Sequence, residues 1–590
     1  MKKTLGFVLL AVAASALVVV AQTTDGDQTT GPKPIGGLAF VDELEVTVVN
    51  VIAYVTDKKG VAVVDLTRDD FKIYQDGQQR EITNFQLFTE DVYRSQRHQL
   101  ALGTPPAAER PAATEEQQPP ATEPPPASTE QPPQTLELQP SYMAIYIDSE
   151  NLRPLDRNRV LNQLQSFVRS NCQPPVEMMV VSYNRSIKVL QPFTSDSTAV
   201  LDAIRETKRY TGGRPNVDRQ RDEIHEAIAR YKEHPDEGGQ DDINRVVGQL
   251  HGFVNEEVNN LQFTLGALRE LVTMLSGLPG KKSVLYISNG LPMVPGIDIY
   301  YALADAYDQH SMITETTRYS QHRQFESLVA NANAQNVTFY TIDAGGLAVL
   351  AGSSAEYSTS RDTMAVTIGH SNYLDTIMYM ADATGGVSIV NTNDIRTRID
   401  RVEQDFYTYY SLGYTLHMSG SDKVHNVRLE IPNHPEYTVR YRRRFVEKSL
   451  ESRIQDRVVT GLMFTIDENP MQIQCATGNP APASEDRWTV PFEVSFPIEN
   501  VALMPEGDDY VGRLVMFVAA RDKEGRQSDV VRQIHEIRVP AAEYDRARRS
   551  RYTITANLLM QAGSHRVAIG MLDQITRQAS YQNVSATVGG

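Results

Sequence analysis

Two short apolar runs, each broken off by polar residues, most constrain what this chain can fold into. Residues 142–147 run into Asp148-Ser149-Glu150-Asn151, and residues 283–287 run into Ser288-Asn289-Gly290. Runs this short, rich in Ile, Val, Leu and Tyr, read as strands buried on both faces, as in a parallel sheet. Open α/β sheets gather their chemistry in loops at the carboxyl ends of such strands. The two polar loops are therefore expected side by side on one face.

The surrounding pattern alternates. Val160, Leu161, Leu164, Phe167 and Val168 recur at helical spacing after the first run. Strands are predicted over 176–183, 187–190, 337–342 and 387–390, the third ending in Asp343. Helices are predicted over 261–275, 325–332 and 374–381, with Val200, Leu201 and Ile204 in another. Asn393 caps a last helix from 394 to about 406. Strand–helix alternation of this kind implies an α/β domain over 141–406 with a doubly wound, mostly parallel sheet. Two insertions interrupt it. Residues 214–260 are strongly charged and predicted helical. Residues 291–317 carry Asp298, Tyr300, Tyr301, Asp305 and Tyr307; they either cover the site or form a solvated surface loop.

All-β segments flank this domain. Residues 42–95 form a small β-rich unit, with turns at Asp57-Lys58-Lys59-Gly60 and Asp76-Gly77. The unit reads as a half-sandwich that needs a neighbour. A β extension is predicted over 407–448 and a β-sandwich-like domain over 449–590. Between the small β-rich unit and the α/β domain, 104–140 is a proline-rich linker without aromatic residues, too polar to offset its ordering entropy. Residues 1–21 have the basic start, apolar run and small residues of a signal peptide; an uncleaved anchor is the other reading of that run. No later stretch is apolar enough to span a membrane.

With 590 residues the chain exceeds one core. Its net charge of −17 argues against a general nucleic-acid binder. Cys172 and Cys475 fall in different predicted domains, which leaves one cross-domain bond or two packed thiols.

Several motifs occur in a fixed order. Val64-Asp65-Leu66-Thr67 leads through Phe71-Lys72-Ile73-Tyr74 to Asp76-Gly77. Leu278-Pro279-Gly280-Lys281-Lys282-Ser283 leads to Ser288-Asn289-Gly290, and Ala383-Thr384-Gly385-Gly386, Tyr409-Tyr410-Ser411-Leu412-Gly413-Tyr414 and Val439-Arg440-Tyr441-Arg442-Arg443 follow. On these residues the chain resembles the von Willebrand factor type A domain, and more narrowly the secreted bacterial "VWFA-related" proteins of acidobacterial type. The resemblance covers most of 42–445 and only loosely the rest.

It implies a protein-interaction domain. Such domains often hold a divalent cation through an Asp-x-Ser-x-Ser loop, a Thr from a second loop and an Asp from a third, leaving one position for a partner's carboxylate. Here Asp148 stands first, but Glu150 and Leu152 replace the two serines and Asn289 replaces the last Asp. Thr264 matches the Thr best, with Thr211 competing. A neutral amide and two missing hydroxyls weaken an oxygen site. The alternative is that Asp148 and Asn289 hydrogen-bond backbone at the strand ends.

No metalloprotease, serine-hydrolase or paired-cysteine zinc spacing occurs. Gly280-Lys281-Lys282-Ser283 precedes a strand and is no phosphate loop. His225, His234 and the run Arg442-Arg443-Arg444 read as solvated. The expectation is an exported, non-catalytic binding protein without a cofactor. Its partner is a protein or a cell-envelope polymer, met at a face centred on Asp148, Glu150, Asn151, Thr264 and Asn289. The alternatives are cation-dependent adhesion, an envelope hydrolase with an unfamiliar site, and a structural spacer.

Overall fold

The first four strands of the chain leave most of their pairing edges for partners far along the sequence. A computed structural model describes residues 46–93, 140–234, 240–347, 363–417, 420–484 and 486–589. The signal-peptide reading of 1–21 and the linker reading, apart from Pro140, lie outside them. The strands are β1 (Val46–Thr56), β2 (Lys72–Gln75), β3 (Gln78–Arg80) and β4 (Asn84–Phe88). Only β2 and β3 pair with each other, across the Asp76-Gly77 turn, where both residues have positive φ.

An α/β unit follows. Its order is β5 (Ser141–Asp148), α1 (Pro154–Asn171), β6 (Val176–Tyr183), β7 (Ile187–Thr194), α2 (Ser197–Thr207), α3 (Arg214–Glu233), α4 (Gln240–Leu275) and β8 (Lys281–Ser288). It continues with α5 (Ile297–Tyr307), α6 (His322–Ala334), β9 (Val337–Asp343), α7 (Thr363–Thr384), β10 (Ser388–Ile389) and α8 (Asp400–Tyr407). The sheet order is β10-β9-β8-β5-β6-β7; β7 runs antiparallel at one edge and the other five strands are parallel.

The two faces of β5 explain its unbroken apolar run. Met143, Ile145 and Ile147 pack under Val160 and Leu164 of α1, Val200 of α2 and Phe406 of α8. Ala144 and Tyr146 pack under Leu265 and Leu268 of α4, Phe325 of α6 and Ile377 of α7. A strand covered by helices on both sides has no polar face to show.

The insertions are not solvated loops: they pack together, and Arg214, Glu257, Asn260 and Leu291 line a small cavity with Glu150 and Asn151. Ile224 and Ile228 of α3, Leu250 and Phe253 of α4, and Ile299, Tyr300 and Leu303 of α5 make a satellite core. The predicted boundary at residue 260 lies inside α4, one continuous helix of 36 residues.

The chain then returns to the first strands through β11 (Tyr409–His417), β12 (Lys423–Glu430), β13 (Thr438–Tyr441) and β14 (Arg444–Glu447). Two four-stranded sheets result, β13-β1-β11-β4 and β14-β12-β2-β3. Ala53, Phe71, Ile73, Tyr410, Leu412, Tyr414 and Leu429 fill the space between them. The β-rich unit and the β extension are thus one interleaved sandwich, because strands from each half hydrogen-bond mainly to strands of the other.

Beyond it, 450–461 is a helix rather than β structure: α9 (Leu450–Gly461) starts at Ser449, whose side chain accepts from Ser452 N. Ile454, Val458 and Leu462 cover Val515, Phe517 and Leu572 of the C-terminal sheets. The Gly277 N–H donates to Thr460 Oγ1 (2.9 Å), which ties α9 to the end of α4. The C-terminal sheets enclose Phe492, Val494, Phe496, Leu514, Met516, Ile569 and Met571. Altogether the chain is mixed α/β, with one largely parallel sheet and several antiparallel ones. Cys172 and Cys475 are free thiols, and burial pushes them up to about 11 and about 12. Among the described residues no helix is long and apolar enough to cross a membrane.

Candidate binding site at the carboxyl ends of the parallel strands

Register brings the two polar loops together. Ile147 of β5 pairs with Ile287 of β8, and Asn289 N donates to Asn151 O at 3.4 Å. What differs from the sequence reading is the depth of the residues. Asp148 is 0 % exposed, Thr264 1 %, Asn289 7 % and Glu150 8 %; Asn151 is half-buried. These residues do not form an outward contact face, because the site spends their polar atoms on itself.

Asp148 Oδ2 accepts from Tyr286 Oη (2.5 Å) and Ser288 Oγ (3.2 Å). Asn151 Nδ2 lies 3.0 Å from both Asp148 oxygens and 3.2 Å from Thr264 Oγ1. The Asn151 N–H also donates to Asp148 Oδ1 (3.2 Å). Burial pushes the Asp148 carboxyl up to about 6, and the Tyr286, Asn151 and Ser288 donors offset only part of that rise. Hydrogen bonds from a neutral amide and hydroxyls stabilise a carboxylate less than a full positive charge does.

Asn289, the residue in place of the third-loop Asp, is occupied too. Its Oδ1 accepts from Arg153 N (2.8 Å) and its Nδ2 donates to Asp156 Oδ2 (3.0 Å). Thr264 is not in a loop but within α4, where its hydroxyl donates to Asn260 O (3.0 Å). Leu152, in place of the second serine, is buried in the core beside Val160. Glu150 forms an ion pair with Arg185 at 3.7 Å.

The competing Thr211 is exposed. The glycines after it nonetheless meet the β5 loop closely. A Cβ on Gly212 would stand 1.9 Å from Ser149 O, and Arg214 N donates to Glu150 O at 3.0 Å. Only glycine permits that approach.

Two polar partners of Asp148, Tyr286 and Ser288, were not among the site residues expected from the sequence. Tyr286 and Ser288 share one face of β8 by the two-residue strand period, and that period was the available signal. Asp343, at the end of β9, accepts from Gly345 N (2.8 Å), while its buried Oδ2 has no hydrogen-bond partner among the described residues. Behind the loops, Asp298 accepts from Arg221 Nε and pairs with His225 Nε2, both at 2.8 Å. His225 is therefore half-buried and paired rather than solvated. Arg214 and Arg221 lie over the Tyr373 ring, whose hydroxyl donates to Glu257 Oε1 (3.0 Å). Burial pushes the Glu257 carboxyl up to about 7. Arg442 also departs from the solvated reading, since it is half-buried and donates to Asn336 Oδ1 and Asn333 O.

No family model and no curated protein matches the chain. Solved structures similar to parts of it include the structural-genomics target SoR45, 13% identical, covering 21% of this chain and 90% of that one at a TM-score of 0.15. An aerotolerance-related membrane protein from Bacteroides fragilis NCTC 9343, with multiple mutations to serines, is 10% identical over 45% of this chain and 97% of that one, at a TM-score of 0.19. The conserved hypothetical protein BatB from Bacteroides thetaiotaomicron has the same identity and coverage at a TM-score of 0.20. At these values the function has to be argued from the residues of the chain itself.

Proposed function

We propose that the chain is an exported, non-catalytic binding protein of the type A-like class, which meets a protein or envelope polymer at the carboxyl end of its parallel sheet without a cation. The observation that carries this reading is the Asn151 amide. It bridges the Asp148 carboxylate and the Thr264 hydroxyl, the oxygens an ion would need, so the centre is closed. Contact then falls to the rim. Leu155 at the start of α1, Phe263 beside Thr264, and Leu347 after β9 are 84 %, 68 % and 57 % exposed. Exposed apolar side chains grouped into one patch mark interaction surfaces, and these three are the rim's candidates for one. The sheet order β7-β6-β5-β8-β9-β10, with the first strand central, supports the type A-like assignment.

The test is capture of an envelope component by the purified chain, with and without chelator. Capture is expected to survive chelation and to drop at least tenfold in the double variant Leu155→Ser, Phe263→Ser, with thermal stability unchanged. Capture abolished by chelation, or untouched by the double variant, rejects the reading.

A further inference from the structure

The C-terminal sheets leave one long strand edge unguarded. Their strands are β15 (Gln474–Thr477), β16 (Ala481–Ser484), β17 (Arg487–Pro497), β18 (Met504–Glu506) and β19 (Asp509–Asp522). Then come β20 (Val531–Pro540), β21 (Arg551–Gln561), β22 (Gly563–Asp573) and β23 (Ala579–Val588). In one sheet β21 pairs with β17 along its whole length, from Arg487↔Gln561 to Pro497↔Arg551, so β15 and β16 share the other side of β17. The second sheet runs β20-β19-β22-β23. Three of the longer strands, β20, β21 and β23, therefore lie at edges.

An open edge is a template for another strand, and natural sheets guard it with charge, proline or a covering segment. Arg532, Glu536 and Arg538 stand along β20, which ends at Pro540. A loop covers part of β23: Tyr581 N donates to Glu468 O and Met471 N to Ser580 Oγ, both at 2.8 Å. Neither device occurs on β21. Between Arg551 and Gln561 it has no charged residue and no proline, and its pairing with β17 runs without a register shift. Its terminal carbonyl, Gln561 O, lies 2.9 Å from His565 Nε2, and among the described residues no strand pairs with its outer edge. Alternate N–H and C=O groups of such an edge point away from the sheet.

Read against itself in the antiparallel sense, β21 is complementary. Two copies paired about Ala556 set Thr555 against Asn557, Thr553 against Leu559 and Arg551 against Gln561. All six side chains are exposed, while Ile554, Ala556 and Met560 stay in the core; the two-residue period keeps each face continuous across the seam. The one charged residue meets an amide rather than its own copy, and Leu559, 57 % exposed, gains cover from a β-branched neighbour. Centring the pair on residue 555 or 557 instead leaves two residues at one end unpaired. We infer that the chain forms a two-fold dimer in which β21 of one copy adds to β21 of a second, making one continuous sheet. This surface is separate from the crevice beyond β5 and β8 and does not depend on how that crevice works.

Sedimentation velocity of the purified full chain over a concentration series tests it. A monomer–dimer equilibrium with micromolar dissociation is expected, since a seam of this kind is small. The double variant Thr555→Lys, Asn557→Lys sets like charges opposite each other and is expected to weaken dimerisation at least tenfold. The double variant Thr555→Lys, Asn557→Glu sets opposite charges at the same pairs and is expected to return dissociation to within about threefold of the wild type. Both positions are exposed, and Thr555 faces Glu493 on β17, so the unfolding temperature of the monomer is expected to hold in each. A chain that stays monomeric at every concentration, the result if another segment or another protein covers the edge, overturns the proposal. So does a lysine pair that dimerises like the wild type, or a lysine–glutamate pair that stays apart.

Discussion

Asn151 does for Asp148 and Thr264 what a bound ion does in an open oxygen site. Its amide spans the two groups and leaves a closed, uncharged bridge. Asn151→Ala leaves a buried carboxylate short of donors, and is expected to cost about 1–3 kcal/mol in urea unfolding. The same variant vacates the space between Asp148 and Thr264. Manganese is expected to raise the unfolding temperature of Asn151→Ala and to leave that of the wild type unchanged. Asp148 itself predicts a pH dependence. Its folded value of about 6 lies above the ordinary 3.8, so folding takes up a proton between those values. Its contribution to stability is full below about pH 4, falls as pH rises to about 6, and is flat above. In Asp148→Asn that segment of the stability profile is expected to flatten, by ~3 kcal/mol across the interval. The sequence placed Asp148 and Asn289 at neighbouring strand ends. It could not place the Asn151 side chain, because a turn residue is directed by a partner 113 positions away.

Among the elements, strands were more legible than insertions. Buried parallel strands announce themselves by composition, since covering both faces removes every polar position. Helices α3 and α5 carry their charges inward as well as outward, and charge in a sequence does not say whether a counter-charge will meet it. His225 looked solvated until α5 supplied Asp298, 73 residues later. That carboxylate holds Arg221 and His225 in a buried cluster, and the Arg221 guanidinium beside it keeps its carboxyl far below the usual range. Asp298→Ala takes the bonded carboxylate from two largely enclosed bases. It is expected to cost about 3–5 kcal/mol, read as faster amide exchange in α3 and α5 while β5 and β8 stay protected. The start of the C-terminal β prediction, 449–590, was misjudged for a related reason. Ile454, Val458 and Leu462 look ordinary alone, and only the sheets they cover make α9 evident.

The whole molecule is assembled by long returns of the chain. Strands β1 to β4 meet β11 to β14 only after the α/β unit has intervened, so neither half has a complete core. A fragment of residues 42–95 is expected to lack strand signal in circular dichroism and dispersion in NMR spectra. A longer fragment, 42–448, is expected to show both, since three or more paired strands with a shared apolar face are needed for independent stability. The sequence by itself determined the parallel strands, their carboxyl-end loops and the incompleteness of the first β unit, because each is written in local composition and periodicity. Tertiary structure alone decided that Asp148 would be sealed by Asn151, that β1 would pair with β11, and that Asp298 would meet Arg221 and His225. Those outcomes depend on which distant groups share a small volume, and hydrogen bonding and charge act through space rather than along the chain.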